Sequence, residues 1–538
     1  MSQYINSHIG HLQTFTYVLQ TIPDNIPIFK IDILIIKTKL FLKGSMMKCL
    51  LIYPQTPDTF WSFSYAVKFI SKKSSEIPLG LITVAGLLPE NRDIKLVDTN
   101  VTALSDQHLN WADIVFISGM SIHRDHFQKI VDRCNRHDLT IVAGGPMVTI
   151  DPDDISGVDH YVLNEAEITL LRFLKDYQEG KAKKYYRTEN YPEISKAPLP
   201  RWDLLEMDKY ASMNLQYSRG CPHNCEFCSV TMLNGRRPRT KDREQLLAEL
   251  DSLYSTGWQG NVFIVDDNFI GNRKKLKQET LPALIEWSEK NHYPFTFTTE
   301  ASLNLADDEE LMDMMIKAGF YHTFIGIETP NLESLEECGK YQNMNRDIIE
   351  SVKKLQRKGF MVSGGFIVGF DHDSQNIFQE QIELIQKSGI VIAMVGMLNA
   401  PKGTQLYDRL EKENRLVDRM TGDNLDGSTN FLPAMGLETL KDGHSWLLQT
   451  IYSKKGYYQR IKIFLKEYNV PSTGTTRISL SEIGAFLKSI WKLGILGKER
   501  RYYWRLIMLS IFRYPKKFPL VVTLAIYGFH FRKIIEKL

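Results

Sequence analysis

The chain has 538 residues, more than a single hydrophobic core usually organises, so at least two domains are expected. Its apolar fraction of 43% and charged fraction of 24% are those of a folded, water-soluble protein. A formal net charge of +3 excludes the pervasive basic surface of a nucleic-acid binder, so no nucleic-acid partner is expected. No stretch reaches the roughly 18 uninterrupted apolar residues of a membrane span, and the cysteine pattern suits a reducing, cytoplasmic compartment.

Residues 1–46 do not read as part of the fold. Ile33 to Leu42 is apolar but broken by Lys37 and Lys39, too short for an anchor, and it lacks a signal-peptide cleavage site. The first convincing strand begins at Met47, directly after Met46. The preceding segment is expected to be disordered or an upstream extension.

Residues 47–180 alternate short apolar runs with helical patterns. Strands are predicted at Cys49–Tyr53, Ile94–Val97, Ile114–Ser118, Thr140–Ala143 and Tyr161–Leu163, and the clearest helices at Asp125–Arg136 and Ala166–Tyr177. That rhythm predicts a doubly wound α/β domain with a parallel sheet, whose ligand sits at the carboxyl ends of the strands. The candidate contacts are the loop after Tyr53, Ser118-Gly119-Met120, Gly144-Gly145-Pro146 and Asn164-Glu165-Ala166-Glu167. A plain flavodoxin-like domain has the same periodicity. His123 and His126 follow the third strand and are read as surface or helix-start histidines.

A linker is expected over residues 181–210, and from 211 to 420 the βα rhythm resumes. Six strands are predicted, at Leu215–Ser218, Val262–Val265, Phe295–Thr299, Thr323–Ile327, Met361–Val368 and Ile390–Met397. At its start stands Cys221-Pro222-His223-Asn224-Cys225-Glu226-Phe227-Cys228. Three thiolates on one tight loop suit three corners of a 4Fe-4S cluster and leave the fourth iron without a protein ligand. Structural zinc wants four ligands, and His223 inside the loop is badly placed to be one; three cysteines cannot pair evenly as disulfides. Cys49, Cys134 and Cys338 are scattered and read as small buried hydrophobes.

At the ends of the later strands stand Asp266-Asp267-Asn268, Thr298 with Glu300 and Asn304, Glu328, the glycines Gly364, Gly365 and Gly369, and Asn399 to Thr404. Each has an ordinary alternative as a cap or turn residue; the glycines suit close approach of a cofactor. The run Arg236-Arg237-Pro238-Arg239-Thr240-Lys241 suits either the acidic groups of a cofactor or a solvated face. Residues 421–538 lose the βα rhythm and become helical. Phe486 to Leu538 mixes aromatics with Lys and Arg, opposed only by Glu499 and Glu536. Two readings stay open: a helical cap on the barrel, or a peripheral contact with a membrane's inner face.

The CxxxCxxC loop with an aromatic before its last cysteine, preceded by the α/β domain, resembles the class B (cobalamin-binding) radical S-adenosylmethionine proteins. The hopanoid 2-methylase-like subfamily is the nearest in pattern. The resemblance rests also on Val265-Asp266-Asp267-Asn268-Phe269, Gly326-Ile327-Glu328-Thr329-Pro330, Gly364-Gly365-Phe366 and Ala525-Ile526-Tyr527-Gly528. It implies a cobalamin domain followed by a partial (βα)6 barrel. The implied cofactors are a 4Fe-4S cluster on Cys221, Cys225 and Cys228, S-adenosylmethionine met by Phe227, Asp267, Glu300 and Glu328, and cobalamin met by Ser118, Gly144 and Gly145. The DxHxxG motif that supplies a histidine to cobalt in many cobalamin proteins is absent, which implies a lower face without a histidine ligand. The implied activity is methylation of an unactivated carbon in a small-molecule or lipid substrate, with electrons from a donor such as a flavodoxin or ferredoxin. Rearrangement, cyclisation or oxidation without methyl transfer is an alternative, as is a non-catalytic iron-sulfur carrier or membrane-docked scaffold.

Overall fold

Two parallel six-stranded sheets follow one another along the chain, in a computed structural model that describes residues 47–90, 92–471 and 480–537. The expectation for residues 1–46 lies outside the described residues. The described residues from Lys48 to Glu90 and from Ile94 onward form one compact unit.

The first sheet contains β1 (Lys48–Tyr53), β2 (Asp93–Asp98), β3 (Ile114–Ser118), β4 (Thr140–Gly144), β5 (His160–Val162) and β6 (Tyr185–Tyr186), in the order β2-β1-β3-β4-β5-β6. Its central strands are apolar along their whole length because helices cover both faces. Val115 and Ile117 of β3 share a core with Phe127, Ile130 and Val131 of α1 (Arg124–Asn135). Phe116, between them, turns to the other face, where it meets Phe173 of α2 (Ala166–Gln178) edge-on at 6.5 Å. The sixth strand falls in the predicted linker; at two residues, Tyr185 and Tyr186, it is too short to carry a periodic signal.

The second sheet curves into the partial barrel. It comprises β7 (Met213–Leu215), β10 (Gly260–Ile264), β11 (Phe295–Ala301), β12 (Phe320–Glu328), β13 (Met361–Val368) and β14 (Ala393–Met397), each pairing in parallel with the next. A small antiparallel ladder of β8 (Ser218–Arg219) and β9 (Arg239–Thr240) brackets the cysteine loop. Side chains alternate along each strand. Ile264, Phe297, Ile325, Phe366 and Val395 are buried in the barrel core. The other row runs through Thr298, Glu300, His322, Phe324, Gly326 and Ser363 in register, with His322 bonded to Ser363 at 2.7 Å.

The helical tail packs on this barrel through α3 (Leu437–Ile451), α4 (Lys454–Glu467), α5 (Leu480–Ser489, continued as a π-helical turn to Ile495), α6 (Arg500–Arg513) and α7 (Phe518–Ile535). Gly528 explains one motif of the tail. A Cβ there would stand 2.2 Å from the Tyr457 ring, and only glycine lets α7 approach α4 so closely; the Tyr457 hydroxyl then donates to the Leu524 carbonyl at 2.7 Å. Phe531 stacks on Phe60 at 4.2 Å. The inward half of the tail therefore forms a cap. Against the sequence expectation, the helix Pro515–Ile535 is long and apolar enough to cross a membrane, but 50% of its most apolar window is buried inside the protein.

Candidate active site between the two sheets

The first sheet changes direction between β1 and β3, and ligands of such folds collect at the carboxyl ends of the strands on either side of that point. There Gly145 adopts φ +93°, and a Cβ on it would lie 2.4 Å from the Ser118 hydroxyl. The Ser118 hydroxyl makes no hydrogen bond among the described residues and the residue is half-buried, which leaves that hydroxyl for a ligand. Gly144 lies beside the Val162 carbonyl, 3.1 Å from where its Cβ would stand. The glycine-lined, uncommitted surface suits a bulky planar cofactor such as cobalamin.

Of the two sequence readings for His123, surface or helix start, the structure has the second: it caps α1 and is fully buried there. Its Nδ1 accepts from the Met120 amide at 3.0 Å and its Nε2 meets the Thr56 hydroxyl at 3.0 Å. Burial lowers its pKa to about 4, so the ring is neutral with both nitrogens engaged. His126 is half-buried, and its Nδ1 accepts from the Gln55 amide at 2.6 Å. His123 thus has both ring nitrogens engaged, and His126 has its Nδ1 engaged. Cobalamin reduced to the cob(II) state in the reconstituted protein is expected to give an electron paramagnetic resonance spectrum without histidine nitrogen splitting. Splitting that disappears in His126→Ala would show a histidine on cobalt after all.

The cysteine loop is built by backbone contacts. Gly220 has φ +95°, and its missing Cβ would stand within 3.0 Å of the Asn234, Gly235 and Arg237 carbonyls. Asp266 and Asp267 brace the strand that enters the loop. Asp266, buried and raised to about pKa 7 by that burial, accepts from the Tyr217 amide at 2.7 Å and the Ser218 hydroxyl at 2.6 Å. Asp267 Oδ2 accepts from the Gly220 amide at 2.7 Å and from Asn234 at 3.0 Å. Asn268 Nδ2 lies 4.0 Å from Cys221 Sγ.

The three loop thiols are half-buried. Burial raises their pKa values, that of Cys228 to about 12, while Cys225 is electrostatically coupled to the other two. Among the described residues no three His, Cys, Asp or Glu groups converge as a site for a metal ion. Three thiols on a loop whose one carboxylate, Glu226, is held by Arg409 at 2.6 Å suit the separate corners of an iron-sulfur cluster.

Sequence reasoning missed Lys340. The turn at Cys338-Gly339-Lys340 packs on the loop: the Glu226 amide donates to the Cys338 carbonyl at 3.0 Å, and a Cβ on Gly339, at φ +69°, would stand 3.2 Å from the Asn224 carbonyl. This puts the buried Lys340 ammonium close enough to lower the pKa of all three thiols against the stronger effect of burial. Lys340 pairs with Glu328 at 2.6 Å, and their side chains are 12% and 9% exposed. Glu328 has φ +65°, and its Oε1 lies where a Cβ on Gly326 would be, at 2.4 Å. Motif scanning had no signal for a lysine twelve residues beyond Glu328.

Glu300 stands alone among the strand-end candidates. Its carboxylate makes no hydrogen bond among the described residues, and burial with the nearby Asp267, Glu76 and Asp266 raises its pKa to about 8. Phe227 instead sits beside Phe370 at 6.3 Å, against a small apolar cluster with Leu398 and Leu406. The glycines of β13 need correction: the space beside Gly364, Gly365 and Gly369 is filled by Phe366, Phe324 and Leu440, at 2.7, 2.7 and 2.9 Å from the Cβ positions. Side chains, not a cofactor, make that close approach.

The basic run after the loop is also largely committed. Arg219 binds Glu165 and Glu167 at 2.5 and 2.8 Å, and Arg239 binds Glu165 at 2.6 Å; all four side chains are largely buried. Lys241 pairs with buried Glu249. Arg236 and Arg237 are exposed. Glu165 and Glu167, expected near a cofactor, therefore join the start of α2 to the residue directly before Gly220-Cys221.

Three family models match the chain: a B12 binding domain over residues 69–174, the radical SAM superfamily over 215–385, and a domain of unknown function (DUF4070) over 404–538. An uncharacterised methyltransferase of Synechocystis sp. is 40% identical over 91% of this chain and 92% of its own length. The hopanoid C-2 methylase of Rhodopseudomonas palustris is 32% identical over 87% and 90%. Among solved structures, the cobalamin-dependent S-adenosylmethionine radical enzyme OxsB superposes with a TM-score of 0.60 at 16% identity, covering 93% of this chain and 82% of that one. The radical S-adenosylmethionine methyltransferase TsrM of Kitasatospora setae gives 0.56 at 13%, covering 92% and 100%. These two likenesses show the shared fold, and the sequence relatives carry the assignment: the chain belongs to the cobalamin-binding radical S-adenosylmethionine methyltransferases.

Proposed function

We propose that the protein methylates an unactivated carbon of a lipid, with a polycyclic isoprenoid of the hopanoid type as the leading substrate class. The observation that carries the reading is the Arg219, Arg239, Glu165 and Glu167 network, which ties the strand ends of the first sheet to the cysteine loop of the second. The 32% identity to a hopanoid C-2 methylase supports the substrate class. When bound, the cluster with S-adenosylmethionine supplies a 5′-deoxyadenosyl radical and cobalamin supplies the methyl group; the protein supplies binding and orientation.

Within that reading Cys221, Cys225 and Cys228 hold the cluster. Ser118, Gly144 and Gly145 receive cobalamin, and the uncommitted carboxylate of Glu300 supports a contact with S-adenosylmethionine. Phe227, Asp267 and Glu328 shape the rim of that site, Asp267 through the Gly220 amide and Glu328 through Lys340. An external one-electron donor such as a flavodoxin or ferredoxin completes the system. The test is anaerobic turnover with methyl-labelled S-adenosylmethionine and a lipid extract. Label in an extracted lipid supports the reading, and deoxyadenosine release without label in any product replaces it with rearrangement or oxidation.

A further inference from the structure

The outward side of the tail is apolar where a soluble surface would be polar. In α5 the residues Ala485, Ser489 and Leu493 face the protein, and on the opposite side Ile483, Leu487, Trp491 and Ile495 form an exposed row. In α6 the residues Tyr503, Leu506, Ile507 and Ser510 are buried, while Trp504, Met508 and Phe512 are exposed. Exposure reaches 58% at Trp491, 65% at Leu496 and 79% at Phe512. The two helices are held as one surface: Trp504 packs on Gly494 and donates its indole N–H to the Gly494 carbonyl at 2.9 Å, and Ser489 bonds the Tyr503 hydroxyl at 2.8 Å. A contiguous apolar patch of this kind marks an interaction site.

Its setting identifies the occupant. Lys498, Arg500, Arg501, Arg505 and Lys516 are exposed and have no carboxylate partner among the described residues. The only carboxylates on this stretch are Glu482 and Glu499, and Glu499 is buried against Arg532 at 2.9 Å. Tryptophan and phenylalanine on one helix face with lysine and arginine beside them is the pattern of a helix pair lying in a lipid headgroup layer, with apolar side chains reaching the acyl boundary and cations meeting anionic headgroups. A protein partner with an acidic rim would meet the charge, but tryptophans bordered by arginines, beside a helix as apolar as α7, favour lipid.

We infer that the exposed faces of α5 and α6 dock the enzyme on an anionic lipid bilayer, with Leu487, Trp491, Trp504 and Phe512 inserted and Arg500, Arg501 and Arg505 at the headgroups. The inference builds on the lipid-substrate reading, since such docking places the barrel at the surface from which a lipid is drawn. It is read without turnover, so a failure of methyl transfer leaves it standing and a failure of docking leaves methyl transfer standing.

The test is flotation of the cobalamin-loaded full chain with vesicles of phosphatidylcholine containing 30% phosphatidylglycerol, against phosphatidylcholine alone. The expected result is co-flotation with the anionic vesicles, at least tenfold weaker with the neutral ones. Trp491→Glu combined with Phe512→Glu, and separately Arg500→Glu combined with Arg501→Glu, are expected to lower anionic-vesicle binding at least tenfold. All four side chains are exposed, so unchanged cobalamin loading and an unchanged Tm confirm that both variants fold. Wild-type protein that stays in the soluble fraction with both vesicles overturns the inference. So does a double variant that floats as well as wild type, and so does sedimentation showing that the patch joins two copies of the chain while no vesicle binding occurs.

Discussion

Replacing Cys221, Cys225 or Cys228 by alanine, one at a time, is expected to abolish deoxyadenosine formation in anaerobically reconstituted protein. Each thiol is the sole protein donor to its corner of the proposed cluster, since the loop holds no further cysteine and its one carboxylate, Glu226, is paired with Arg409 at 2.6 Å. The fold survives the change. The loop is shaped by Gly220 against the Asn234, Gly235 and Arg237 carbonyls and by the Asp267 bond to the Gly220 amide, none of which involves a sulfur. Iron and sulfide content is expected to fall while cobalamin still binds, because Ser118 and Gly145 belong to the first sheet. Substitution of Cys338 is the control. That residue is buried with its thiol against the Leu335 carbonyl, and Cys338→Ala is expected to keep full iron content. Iron and deoxyadenosine assays on the four variants check the set; a loop variant that retains both activities breaks the assignment.

Lys340→Met is expected to produce the second largest effect, on two separable readouts. Removing one partner from a largely buried ion pair leaves Glu328 without its cation, and such truncations cost about 3 to 5 kcal/mol. A lower denaturation midpoint is therefore expected, and Lys340→Met combined with Glu328→Gln is expected to regain most of it because no isolated charge remains. The second readout belongs to the cysteines. The Lys340 ammonium favours negative charge at all three thiols, so its loss makes reduction of a cluster held there harder and moves the midpoint potential to more negative values. Lys340→Arg keeps the charge and is expected to restore the potential ahead of the stability. A purely structural role would move the denaturation midpoint alone.

Much of the fold was legible because α/β architecture writes itself in local periodicity. Ile114–Ser118 is read to the residue and the later five barrel strands are found, because each is an apolar run bounded by turn residues; the first, read as Leu215–Ser218, is Met213–Leu215 and shares Leu215 alone. Tyr185–Tyr186 was missed because two residues carry no period. The cysteine loop was legible for a chemical reason: three thiols at fixed spacing have few other uses. The histidines show where local reading fails. His123 looked like a surface residue, but the Thr56 hydroxyl that holds its Nε2 comes from a different loop, 67 positions away in sequence. Gly364 and Gly365 of β13 are legible as crowded positions, yet residue type alone does not distinguish a cofactor from Phe324 of the neighbouring strand.

The linear order of residues specifies the chemistry available here: a three-cysteine loop, a preceding parallel α/β domain without the cobalt-binding histidine motif, and a basic aromatic tail. These are properties of residue type and spacing, which short stretches of chain carry intact. Only the tertiary structure decided how charges are spent. Arg219, Arg239, Glu165 and Glu167 neutralise one another between the two sheets, Glu328 is paired with Lys340, and Glu300 is left uncommitted. It also divided the tail into an inward cap, where Gly528 admits Tyr457, and an outward apolar face. The reason is physical. Burial and Coulomb interaction depend on which groups share a volume, and residues that meet across the two sheets, such as Glu165 and Arg219, are separated by 54 positions in sequence.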